Sequence, residues 1–110
     1  IKLKGVKMWI ILNNSFLSIV ENRNNKGELL VRSRVKGDIE KVISDAEVFE
    51  DSLADYKYRT FIKKEKVASI ISNELLNINY DNFKNSVSKN DFERYKAYNN
   101  VWSAMRVLQK

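Results

Sequence analysis

Cysteine, histidine and proline are absent from this chain, and only three of its 110 residues are glycine. Without cysteine there is neither a disulfide framework nor a thiolate metal site, and a reducing compartment is compatible. The lack of histidine removes the commonest general base, the commonest zinc ligand and every Ser-His or Cys-His arrangement. Carboxylates, Lys, Arg, Tyr and Ser are left for any chemistry. Long apolar runs are missing too. The longest, Met8 to Leu12, falls far short of the ~20 residues a membrane helix needs. The bases Lys2, Lys4 and Lys7 precede too short an apolar block for a secretory signal, so a cytoplasmic location without a membrane partner is expected. Asn13-Asn14-Ser15 matches a glycosylation sequon, but without export a tight turn explains it better.

What is present suits a folded chain. With 44% hydrophobic and 31% charged residues, its length is that of one globular domain, expected over 8–110. The net charge of +6 is unevenly spread: residues 1–37 hold eight bases against two acids, residues 38–60 three bases against seven acids, and the remainder nine bases against five acids. A surface polarised in this way suits an anionic partner on one side.

The stretch Leu29 to Asp38, Leu-Leu-Val-Arg-Ser-Arg-Val-Lys-Gly-Asp, organises the rest. On a β-strand, alternate side chains point to opposite faces, so Leu29, Val31, Ser33 and Val35 share one side while Arg32, Arg34 and Lys36 share the other. Gly37 is a breaker, and Asp38 reads as the cap of a short helix carrying Ile39, Val42 and Ile43. Upstream, Met8 to Leu12 and Phe16 to Glu21 read as two strands joined through Asn13-Asn14, a dipeptide tolerant of positive φ. Downstream, Ala46 to Phe49 reads as a brief fourth strand, and Tyr56 to Ile62 alternates as a fifth.

From Lys64 the period changes to 3.6, with Val67, Ile70, Ile71, Leu75 and Ile78 on one side of a helix. Tyr80, Phe83 and Val87 fit a short helical turn in which Asp81 or Asn82 is the cap. Asn90 with Glu93 three residues later resembles a capping box, and it starts a last helix with an aromatic face of Phe92, Tyr95, Tyr98 and Trp102. Strands first and helices mostly later predict an α+β domain: an antiparallel meander sheet of four to five strands packed against two longer helices.

Several blocks together resemble a family of small uncharacterised bacterial proteins, to which no activity is assigned. They are Met8-Trp9, Phe16 to Val20, Leu30 to Asp38, Ala54-Asp55-Tyr56-Lys57-Tyr58-Arg59, Tyr80-Asp81-Asn82-Phe83-Lys84, and Tyr98 with Val101-Trp102. Members resemble this chain from the Met-Trp pair onward, which implies that residues 1–7 are an N-terminal extension or an added remnant.

Four constellations are candidate sites. If the third and fifth strands are neighbours, Arg32, Arg34, Lys36, Lys57 and Arg59 form one cationic field, with Trp9 or Phe61 as stacking platforms, which is how sheet-faced binders hold single strands. The plainer reading makes these cations the solvated side of a half-buried sheet. Next, Asp55 with Arg59 is expected as an ion pair, and an exposed Tyr56 or Tyr58 beside Arg32 or Arg34 would be required for histidine-free RNA cleavage. Glu47, Glu50, Asp51 and Asp55 fit no metal-loop spacing, so neither a metal nor another cofactor is expected. Lastly, the aromatic face of the final helix is expected in a core. Any exposed part would serve a partner, with Trp9, Tyr98 and Trp102 as anchors. The expectation is a non-enzymatic basic binding module for RNA or single-stranded nucleic acid. The alternatives are a mobile-element type regulator or inhibitor that binds an acidic protein surface and, further off, a histidine-free ribonuclease.

Overall fold

Apolar residues at alternate positions carry the strands into a sheet that buries one face in a core. The computed structural model describes residues 8–110, so the expectation for residues 1–7 lies outside the described residues. Strands β1 (Met8–Leu12), β2 (Ser15–Glu21), β3 (Glu28–Ser33), β4 (Phe49–Glu50) and β5 (Tyr58–Lys63) form one open antiparallel sheet in the order β1-β2-β3-β5-β4. The expected α+β fold with an antiparallel meander is present. The chain gathers into two compact units, one ending at Ile78 and one running from Asn79 to Lys110.

In the first unit, Leu12 pairs with Ser15, so Asn13-Asn14 make the tight turn, although neither takes the positive φ that asparagine tolerates. Leu17, Ile19, Val31 and Ile62 project from one face into a core closed by Ile39 and Ile43 near helix α1 (Asp38–Val42) and by Val67 of helix α2 (Lys64–Leu76). Only the first half of α2 serves this core. Ile70 and Ile71 pack against it, whereas Leu75 and Leu76 are exposed.

Three local expectations are corrected here. The third strand stops at Ser33, because Ser33 Oγ and the Asp38 N–H both donate to the Val35 carbonyl, at 3.0 and 3.2 Å, and curl the chain out of the pleat. Arg34 and Lys36 are therefore on a turn. The helix cap is Gly37, at φ 93°, and not Asp38, which lies one residue inside the helix, fully buried, with Oδ2 accepting from the Phe16 N–H at 3.0 Å. The fourth strand is Phe49–Glu50, later than expected. The Ala46 N–H donates back to the Ile43 carbonyl, and the Glu47 carbonyl accepts from Thr60 Oγ at 2.9 Å, so that segment is held by a turn and a side chain.

The second unit contains helix α3 (Phe83–Ser86), helix α4 (Phe92–Met105) and a closing 3-10 turn, Arg106–Leu108. Asn82 caps α3, accepting from the Asn85 N–H at 3.1 Å. The cap of α4 is Asp91 rather than Asn90: the Asn90 N–H goes to Ser88 Oγ, while Asp91 accepts from both the Arg94 N–H and Arg94 Nε, the latter at 2.8 Å. Phe83 stacks on Tyr98 with 6.0 Å between ring centres and a 27° tilt. Among the described residues no helix is long and apolar enough to cross a membrane.

Candidate functional site

The sheet register decides which side chains share the face turned away from the core. Trp9 pairs with Ser18, Ser18 with Arg32, Arg32 with Arg59, and Arg59 with Phe49, so one row of this face crosses all five strands. The neighbouring row carries Val20, Leu30 and Phe61. Trp9 is 61% exposed, and Phe49 and Phe61 are also open, their ring centres 5.7 Å apart. The face is thus aromatic and cationic together.

Its centre is built on Tyr56. This ring is buried, and the guanidinium carbons of Arg32 and Arg34 lie 4.5 and 4.3 Å from its centre, close enough for cation–π attraction. Arg32 Nη2 donates to Ser18 Oγ at 2.7 Å, Arg34 Nη1 to the Asp55 carbonyl at 3.2 Å, and Arg59 Nη1 to the Tyr56 carbonyl at 3.2 Å. Each guanidinium offers five donors, so these bonds fix the groups and leave capacity over. Arg32 Nε is buried without a hydrogen-bond partner. Among the described residues, none of the three guanidinium groups is in an ion pair with a carboxylate; such pairs join Lys41 to Asp38, Lys57 to Glu50, Lys66 to Asp45 and Arg94 to Asp91. Trp9, Arg32, Arg34, Asp55 and Tyr56 line a half-open recess of about 400 Å³.

Of the five expected cations, the fold gathers Arg32, Arg34 and Arg59. Lys57 precedes β5 and is held 3.8 Å from Glu50. Lys36 is exposed on the turn before α1, outside the ladder. The expected Asp55–Arg59 ion pair is replaced: Asp55 Oδ1 accepts from the Tyr56 N–H at 2.9 Å, and Arg59 reaches the Tyr56 carbonyl instead. Tyr56 does lie beside Arg32 and Arg34, but it is 5% exposed, and Tyr58 packs against the core, so neither is the open tyrosine that the cleavage reading required.

Comparison with protein-family models, with curated proteins and with solved structures finds no match for the chain. The site's own geometry has to carry its reading. Arg32 and Arg59 directly opposite one another repel, an arrangement that destabilises a bare sheet and that an anion relieves. One contributor went unseen in the sequence, and a second, Tyr56, was expected beside the arginines only as an open group for cleavage. Phe49 joins the face only because β4 pairs with β5 at Arg59, and nothing local marks that register. The Tyr56 ring gathers two arginines from a segment more than twenty residues away, a long-range contact with no periodic signal.

Of the expected partner anchors, Tyr98 is half-buried against Phe83, and its hydroxyl accepts from Arg94 Nη1 at 3.1 Å. Trp102 is open, with Lys84 Nζ 3.8 Å and the Arg106 guanidinium 5.3 Å from its ring. The aromatic face of α4 is therefore divided: part stacks within its unit, and Phe92, Trp102 and Met105 are exposed. A unit this short has little interior in which to bury them.

Proposed function

We propose that the protein is a non-enzymatic binding module for single-stranded nucleic acid, RNA in particular, that uses the outer face of its sheet. The observation that supports this most is the trio Arg32, Arg34 and Arg59, gathered at Tyr56 without carboxylate partners and flanked by open Trp9, Phe49 and Phe61. Guanidinium groups hold phosphates as forked donors, and aromatic rings accept the faces of unpaired bases. A flat face with rings on both sides of a cationic centre suits splayed bases better than a duplex groove, which a helix or ribbon would have to enter.

The test is fluorescence anisotropy of the full chain with a short labelled single-stranded RNA. Stacking on an aromatic side chain is worth about 1–3 kcal/mol per base, so Trp9→Ala is expected to weaken binding by roughly five- to a hundredfold. Arg34 is exposed and its bond is to a loop carbonyl, so Arg34→Ala removes a cationic contact while the core stays intact, and it is expected to weaken binding to every sequence. Absence of binding to any RNA, together with nuclease-resistant capture of one acidic protein through the same arginines, would replace this reading with that of a protein-interaction regulator.

A further inference from the structure

We infer that the recess beside Trp9 receives one guanine base, and that Asp55 reads it; this rests on the single-strand reading above. A pocket meant for phosphate alone gains nothing from a carboxylate, which repels an oxyanion. Yet Asp55 lines the recess together with Arg32 and Arg34. It is also held at two points: Oδ1 accepts from the Tyr56 N–H at 2.9 Å, and its carbonyl accepts from Arg34 Nη1 at 3.2 Å. Its second oxygen, Oδ2, has no hydrogen-bond or ion-pair partner among the described residues. The recess therefore brings an exposed carboxylate residue, held at Oδ1, next to cationic donors seated on Tyr56.

Such a site selects a ligand with donors and acceptors on one planar outline. Guanine presents O6 and N7 as acceptors, the pair that arginine reads most often, and next to them the N1–H and N2–H donors that a carboxylate can take together. Uracil offers one N–H between two carbonyls. Adenine and cytosine each offer a single amino group and lack the adjoining donor. Trp9 provides the stacking surface: its ring meets Phe16 edge-on, at 5.4 Å and 88°, which fixes the indole and leaves it largely open. The recess, of about 400 Å³, has room for a base.

The experiment measures the anisotropy of labelled oligouridylates that carry one central guanine, adenine, cytosine, uracil or hypoxanthine. Guanine is expected to bind about tenfold tighter than uracil, the scale of one well-made base contact. Hypoxanthine, which lacks the 2-amino group, is expected to fall between them. Asp55→Asn keeps an oxygen for the Tyr56 N–H and is expected to abolish the preference for guanine over uracil. Near-UV circular dichroism of this variant checks that the aromatic face is intact. Equal affinity for all five strands, or a guanine preference that survives in Asp55→Asn, overturns the inference and leaves single-strand binding standing. Failure to bind any strand overturns both.

Discussion

Two adjacent residues, Gly37 and Asp38, show how much of this fold rests on single positions. Gly37 has φ 93°, and no atom lies within 4 Å of where a Cβ would stand, so a substitution there meets backbone strain and no steric clash. Gly37→Ala is expected to lower stability by about 1–2 kcal/mol, the cost of a left-handed L-residue, as read by urea unfolding. Asp38 joins α1 to the start of β2 through the Phe16 N–H. Replacing it by Ala leaves that donor without the acceptor and is expected to cost about 1–3 kcal/mol, whereas Asn keeps an oxygen in place and recovers part of the loss. A melt in which Ala and Asn behave alike would contradict this account.

At the level of elements, the strands and the long helices were legible, because period-2 and period-3.6 patterns report which face is buried. The ends were not. Ser33 stops β3 through a hydrogen bond to Val35, and Asp91 displaces Asn90 as a cap by also holding Arg94; side-chain geometry decides both, and residue type at a spacing does not. The candidate site was half legible for the same reason. Alternation placed Arg32 and Arg59 on one face, but the turn after Ser33 carried Lys36 off the ladder. One polar link that responds to acid is Asp45 to Lys66. The Lys66 ammonium, 2.5 Å from Asp45 Oδ2, holds that carboxyl below its ordinary range by hydrogen bonding first and by charge second. A carboxyl depressed on folding stabilises the native state above its unfolded value, and the contribution is lost as pH falls through the lower folded value. Both side chains are largely open to water, so the stability effect is small, and the titration itself is the readout. In carboxyl-detected NMR, the Asp45 midpoint is expected to lie below that of a free aspartate and to return to the ordinary range in Lys66→Ala.

For the whole molecule, the question is whether the net charge of +6 or the arginine trio governs attraction to an anionic strand. The two make different numerical claims. Counterion release gives a slope of log affinity against log salt of about −0.7 for each phosphate neutralised on a single strand. On a strand without guanine, three guanidinium contacts therefore predict a slope of about −2, whereas the spread of lysines acting together would give one several units steeper. The charge layout favours the smaller number. The acid-rich segment 38–60 supplies Asp55 at the recess and Glu50 at Lys57, so carboxylates border the arginines and limit diffuse attraction to the rest of the chain. Arg34→Ala is expected to bring the slope up by about 0.7, and Lys89→Ala, a substitution on the unit from Asn79 to Lys110, to leave it unchanged. An equal effect of the two substitutions would mean that the charge of the whole chain, and not the Tyr56 centre, is what the strand meets.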